Sequence, residues 1–465
     1  MRGTIVLRFA ILPGGKVMYH WGVPTEVQSE ARETIVPAAA QATSGLHSIS
    51  ARTLRYAALA VIVVVFALGT WSWVQFGRAS GRGFGLFTQS DFPAVTIASR
   101  IVSQGRGADL YSLPAQLEGQ RHLIAEGYIA LSPSDDLKYP YPYAPFTAVL
   151  LSPLSGLTPT VAWAIWDILN IGGMAGGLWF LLSALSLSKW TRLLLLLGGL
   201  TSVPFIVNLE QGQSSGVVML GLALGVGFLK RGRGLPAGLA FGLLLLKVQW
   251  LPFLVLVLLW KRQWRALAGI VATGAVLMLL TVARIGTEWI PGYIDMMLRT
   301  QRYDRALLLD PSYSHSLSGG LTALLGGGTD ALVRGISLGV MLVLAGFLLW
   351  VWRKPWQPDT GEWDGRMALT LLAAILTNLQ LNTHDLSLLA LPGALGLSYL
   401  LAARHAGPAV GWCAMLWAGY AATLFMPMIF ALPLRLTTLL ILAMTVVMAA
   451  PFVVRFKSES IPTLA

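Results

Sequence analysis

Three kinds of side chain that can do chemistry recur in this sequence at places where an apolar setting makes them costly. Lys247 interrupts the apolar run 235–260, about a dozen residues from basic clusters on either side. An ammonium that deep has no easy path to an interface, so an anionic ligand is its natural partner. Asp91 belongs to Ser90-Asp91-Phe92-Pro93, which reads as a helix start with Ser at the cap and Pro in the first turn. Its carboxylate is either a helix-terminal group favoured by the dipole or a general base held ionised by it. His384 stands in Asn382-Thr383-His384-Asp385 and reads as half of a solvated loop pair or as part of a site. Glu210-Gln211-Gly212-Gln213 gathers polar groups at another turn. Gln211 and Gln213 there either hydrogen-bond between helices or face a ligand, and Glu210 is a further candidate contact. Tyr139, Tyr141 and Tyr143 alternate with Pro140 and Pro142, a pattern of an interfacial aromatic belt or of a substrate platform.

The elements that must position these residues are membrane spans. Apolar runs long enough to cross a bilayer, or nearly so, occur at about 54–76, 159–184, 191–208, 213–229, 264–283, 331–352, 366–381, 385–402, 409–427 and 434–454. With the broken and partial segments, about eleven to thirteen crossings are expected. The short connections with Lys189 and Arg192, with Lys230, Arg231 and Arg233, and with Lys261, Arg262 and Arg265 contain no acidic residue. They belong in the cytoplasm, as do Arg404 and the tail residues Arg455 and Lys457. Residues 235–260 have basic clusters at both ends, so one span would invert everything after it. Two short helices meeting near Lys247–Pro252 keep both clusters on one side, and Pro gives the break a cause. The run 144–157 is short and Pro-bounded, which suits a re-entrant or partial helix.

With this topology the polar candidates gather at the outer ends of the spans, and the cytoplasmic turns hold only basic residues. Two outer loops, about 77–143 and 284–330, are long enough to expect a role for each. Phe92, Val95, Ile101 and Val102 in the first, and Trp289, Tyr293, Met296 and Met297 in the second, suggest helices lying on the membrane surface. Composition agrees: hydrophobic residues are 55% and charged residues 12% of 465 positions, about half the charge of a soluble chain. The net charge of +12 is spread over short clusters between apolar runs, which argues against a nucleic-acid face. The single cysteine, Cys413, excludes a disulfide framework and cysteine-ligated metal within one chain. Residues 1–53 read as a disordered cytoplasmic tail, 54–454 as the transmembrane domain, and 455–465 as a second cytoplasmic tail.

The order of these residues resembles glycosyltransferase family 87, membrane enzymes of the GT-C superfamily that include polyprenyl-phosphomannose-dependent mannosyltransferases. The likeness runs over roughly 54–405: Asp91; Gly105-x-Gly107-Ala-Asp-Leu-Tyr111; Tyr141-Pro142-Tyr143-Ala144-Pro145; and Leu150-Leu-Ser-Pro153-Leu. It continues through Trp163 to Asn170, Gly212-Gln213, Ala237-Gly238-Leu-Ala-Phe-Gly242 to Lys247, Lys261-Arg262-Gln-Trp264, and His384. Ala144 stands where the family usually has a second Pro, and Pro252 lies farther from Lys247 than the family's proline often does.

The resemblance implies an all-α polytopic helix bundle of the GT-C type with long extracytoplasmic loops carrying interfacial helices. It implies an inverting hexosyltransferase that moves a sugar, mannose first, from a polyprenyl phosphate to a lipid or cell-envelope glycan. The setting would be the extracytoplasmic face of a bacterial inner membrane, with both termini in the cytoplasm. Asp91 matches the family's base, and Lys247 and His384 could supply cation and hydrogen bonds at the donor phosphate. Gln213, Glu210, Tyr141 and Tyr143 would complete the substrate contacts. The partners implied are the bilayer, the lipid-linked sugar and the acceptor. No nucleic acid, no cofactor and no metal is expected, since the lipid-linked sugar is a substrate and no Asp-x-Asp motif appears. The rival class is a transporter or flippase of lipid-linked sugars, which would show paired halves and gates on both faces; no repeat is visible.

Overall fold

The computed structural model describes residues 90–130, 136–301, 314–326, 330–403, 406–423 and 435–459, with two short strands and scattered positions before them. The expected first span at 54–76 and the tail residues 460–465 fall outside the described residues almost entirely. The chain divides into Met1–Ala58 and Leu59–Ala465. In the first unit, β1 (Arg8–Ile11) pairs antiparallel with β2 (Val17–His20), with Phe9 opposite Tyr19.

Among its described residues the second unit is built of helices joined by turns and short connections. The first outer loop supplies α1 (Phe92–Ser103) and α2 (Leu113–Ala125), and α3 (Pro145–Leu151) follows. The bundle runs through α4 (Pro159–Leu182), α5 (Lys189–Leu200), α6 (Val203–Glu210), α7 (Ser215–Lys230), α8 (Gly234–Phe241), α9 (Pro252–Trp260) and α10 (Trp264–Ile285). After α11 (Trp289–Gln301) and α12 (Leu317–Leu325) come α13 (Asp330–Val351), α14 (Gly361–Leu376), α15 (Ala390–Ala402), α16 (Ala406–Ala422) and α17 (Leu436–Glu459). Punctuation in the sequence sets many of these starts. Ser112, Ser188, Ser202, Ser316 and Thr360 each accept a hydrogen bond from a backbone N–H in the first turn. Proline opens α2, α3, α4, α6 and α9, where its missing N–H costs nothing.

Five stretches among the described residues are long and apolar enough to span: Pro159–Leu182, Trp264–Ile285, Asp330–Val351, Thr383–Ala402 and Leu436–Val454. The pair α5 and α6, bent by 41°, makes a sixth. The expected crossing 213–229 and the broken segment 235–260 coincide with shorter apolar helices, Ser215–Lys230 and Gly234–Trp250.

The segment 235–260 is one of these. Lys247 leaves helical geometry at φ −137°, ψ 76°, and α9 begins anew at Pro252. Two backbone oxygens of one short connection receive the lysines that flank the segment: Lys230 donates to Pro358 at 2.9 Å and Lys261 to Lys354 at 2.9 Å. Both basic clusters therefore lie at the same end of the bundle. The glycines agree. A Cβ on Gly234 would meet Arg265, and one on Gly242 would meet Thr273, so α8 and α10 ascend side by side while α9 descends between the turns. Gly238 permits that contact, since its missing Cβ would lie 1.9 Å from the Ala266 carbonyl oxygen.

Apolar packing falls into two clusters. The larger draws chiefly on α4, α7, α8, α9, α13, α14, α15, α16 and α17, around Trp250, Trp352, Trp363 and Trp412. The smaller joins α1, α2 and α3 to the first turns of α4 and to Trp289 of α11. In it α1 is packed inside protein, with Phe92 to Ser99, Ile101 and Val102 buried. The expected helix on the membrane surface is instead enclosed: its apolar residues pack in this cluster, Thr96 and Ser99 are buried, and Arg100 on its polar stripe pairs with Glu126.

Candidate functional site

The two clusters meet at the N-terminal end of α1, where the turn after α6 docks against Asp91. Gly212 takes φ +62°, and a Cβ there would lie 2.7 Å from that of Phe92. Only glycine accepts both the left-handed backbone and the close approach. Indole N–H groups hold the turn from one side: Trp163 donates to Leu209 O at 3.1 Å, and Trp166 to Gly212 O at 2.9 Å. The Asp91 N–H donates to Gln211 O at 3.1 Å.

The Asp91 side chain does no capping. Although Asp91 occupies the cap position of α1, its carboxylate makes no cap hydrogen bond; the Ser90 hydroxyl instead accepts from Phe92 N at 3.3 Å. The carboxylate Oδ2 accepts from Gln213 Nε2. The same Gln213 amide donates to the Tyr143 hydroxyl oxygen at 2.9 Å, which leaves the phenol's own proton for another acceptor. Asp91 is exposed to solvent, yet protein crowds it on several sides. That crowding raises its pKa, against the lowering effects of the Gln213 hydrogen bond and the Lys247 charge.

Lys247 lies across the same turn. Buried at the break between α8 and α9, its Nζ donates to Asp385 Oδ1 at 2.8 Å and lies 3.3 Å from His384 Nε2. An ammonium has three donors, and the third N–H has no partner among the described residues. His384 Nδ1 lies 3.0 Å from Gln211 Oε1, an acceptor. A neutral ring protonated on Nδ1 suits these partners, donating to Gln211 and accepting from Lys247 at Nε2, which also lies 3.4 Å from Asp385 Oδ2. In this arrangement both ring nitrogens are engaged within the protein. Asp385 is held in turn: Ser215 Oγ donates to its Oδ1 at 3.2 Å, and its Oδ2 closes a capping box with Asn382.

Of the residues singled out from sequence, Asp91, Gln213, Tyr143, Lys247 and His384 form one connected constellation around residues 211–213. Tyr141 packs edge-on against the Tyr143 ring, with centroids 5.5 Å apart, but its hydroxyl is turned away from the constellation. Its hydroxyl donates to Ala144 O at 2.8 Å and accepts from Ala148 N at 3.0 Å, so it shapes the turn into α3. Glu210 is half-buried and makes no side-chain hydrogen bond or ion pair among the described residues; its neighbour Gln211 reaches His384 instead. Sequence reasoning missed His315. This buried ring lies 2.7 Å from Thr437 Oγ1 and 3.3 Å from Thr383 Oγ1, next to His384. Burial, with Arg435 and His384 nearby, lowers its pKa to about 3, against the pull of Asp385, so it is a neutral strut. The signal was the polar run Ser314-His315-Ser316 in an outer loop.

The arrangement sets a solvent-accessible carboxylate and a buried cation with an available N–H on two sides of one rigid turn. It can take a proton at one point and hold an anion at another. The family model of glycosyltransferase family 87 matches residues 141–380, just over half of the chain. No curated protein and no solved structure matches.

Proposed function

The chain belongs to glycosyltransferase family 87, and on that premise we propose that this membrane glycosyltransferase moves mannose from a polyprenyl phosphate to a hydroxyl of a lipid or cell-envelope glycan. The acceptor oxygen attacks the anomeric carbon from the face opposite the phosphate and inverts it. As the new C–O bond forms, Asp91 takes the hydroxyl proton. The old C–O bond breaks, and its electron pair leaves on the phosphate oxygen. A phosphate leaves as a stable anion, so no strong acid is needed; a cation at the leaving oxygen is. Lys247 supplies it through its third N–H. His384 and Asp385 hold the ammonium, and Gln213 and Tyr143 orient the base and offer a hydroxyl proton to the sugar or acceptor.

The carrying observation is that Asp91, although at a helix start, spends its carboxylate on Gln213 and solvent and not on capping. A capping aspartate would give its carboxylate to the first-turn N–H groups, and this one does not. In this reading the end of the bundle with Asp91 faces the extracytoplasmic side of a bacterial inner membrane, and the basic end with Lys230 and Lys261 faces the cytoplasm.

The test uses purified full-length protein in lipid bilayers, a panel of polyprenyl-phosphate sugars labelled in the sugar, and membrane lipid extract. Labelled product is expected with the mannosyl donor, with inverted anomeric configuration. Transfer from a different sugar of the panel would change the donor assignment. No transfer from any, or retained configuration, would overturn the mechanism.

A further inference from the structure

Residues 211–213 touch both halves of the site, and they do so through different atoms. Gln213 reaches outward to Asp91 and Tyr143 with its amide nitrogen. Gln211 reaches inward with its amide oxygen to His384 Nδ1 at 3.0 Å, while its backbone oxygen accepts from Asp91 N at 3.1 Å. Gly212 between them is locked by its left-handed backbone, by Phe92 and by the Trp166 indole. One three-residue turn is thus bonded to the carboxylate on one side and, through a single imidazole, to the ammonium on the other.

We propose that Gln211 is a positioning residue which, by fixing the His384 tautomer, aims the Lys247 ammonium and sets its place relative to Asp91. This rests on the reading in which Lys247 meets the donor phosphate. The physical chain is short. Gln211 Oε1 accepts only from an N–H, so it selects the ring form with the proton on Nδ1. That form leaves Nε2 bare, and a bare Nε2 accepts one ammonium N–H. Asp385 takes a second. With two of three N–H directions fixed, the third points one way. Without the Gln211 oxygen the ring can carry its proton on Nε2, facing the ammonium with a donor, and the aim is lost. The phosphate gains negative charge only as the sugar leaves, so the aimed N–H matters more in the transition state than on binding.

Gln211→Met keeps the length and removes the acceptor; Gln211→Glu restores an acceptor oxygen. In bilayers with the labelled donor panel, Gln211→Met should lower kcat on the order of ten-fold, the worth of one hydrogen bond, with donor KM within about two-fold. Gln211→Glu should recover most of that kcat. Nitrogen-15 spectra of histidine-labelled protein should show His384, assigned through its loss in His384→Ala, protonated on Nδ1 in the parent. The proton should shift towards Nε2 in Gln211→Met. Unchanged kcat per folded molecule in Gln211→Met, no recovery in Gln211→Glu, or a parent ring protonated on Nε2 would each overturn the proposal. Lys247→Met separates the two levels. If it leaves donor KM and kcat unchanged, the phosphate reading itself fails; if it impairs transfer while Gln211→Met does not, only the positioning role fails. Should no donor of the panel react, the tautomer measurement still decides what Gln211 does to His384.

Discussion

Asp91 and its amide isostere separate two roles that one carboxylate can have at a helix start. Asp91→Asn keeps size and hydrogen-bonding reach but cannot accept a proton. As general base, its loss should cut turnover about a hundred- to ten-thousand-fold, with donor binding and thermal stability close to the parent's. As a cap, Asn serves as well as Asp, so neither turnover nor stability would change; the hydrogen bonds already count against that role. The pH dependence follows from the same environment. Crowding by protein raises the Asp91 pKa, partly offset by Gln213 and Lys247. The base works ionised, so activity should rise with pH through that raised value. The acid limb of kcat/KM should therefore lie above the ordinary aspartate value of about 3.9. A limb at or below that value would show that another group takes the proton.

The broken segment α8–α9 was the most legible element in the sequence. Basic clusters at both ends, a proline and one deep lysine gave a break near Lys247–Pro252, and the backbone leaves the helix at Lys247 itself. Tags inserted after Arg233 and after Trp264 should report the same side of the membrane, since Lys230 and Lys261 bond to one connection. Opposite reports would refute the hairpin. Apolar runs at 159–184, 264–283, 331–352, 385–402 and 434–454 likewise recur as long helices, because length and hydropathy are local properties. What sequence could not reach depends on contacts across the chain. It could not choose Gln211 over Glu210 as the tie to His384, a pairing 173 residues long. It could not see that Tyr141 would spend its hydroxyl on Ala144 and Ala148, or that His315 would brace Thr383 and Thr437. Nor did spacing alone show that α1 would be enclosed, because Val95 and Ile101 suit a membrane surface and a protein core equally well.

Along α7, polar contacts mark both ends of an apolar helix. Ser215 opens α7 beside Asp385, and Lys230 closes it in an ion pair with Asp364, roughly 22 Å away by helical rise. Ser398 Oγ donates to the other Asp364 oxygen at 2.8 Å, so α7, α14 and α15 are joined at the basic end. The two side chains are 6% and 3% exposed, so removing one partner strands a buried charge. Asp364→Leu or Lys230→Met alone should each destabilise by about 3–5 kcal/mol, and the double variant should be less destabilised than the sum. Equal additivity in thermal unfolding would show the pair to be uncoupled. Turnover per folded molecule should be unaffected, because neither residue reaches the Asp91 end.

That arrangement has a mechanical side. The loop from Lys354 to Pro358 accepts from Lys230 at the end of α7 and from Lys261 just after α9, while the apex of the α8–α9 hairpin holds Lys247 beside His384 and Asp385. The cation thus stands at the tip of a hairpin footed at the far end of the bundle, and there Asp385 and His384 hold it like a tent pole tied at its top, so the hairpin brings the ammonium to the site and the local bonds fix where it rests.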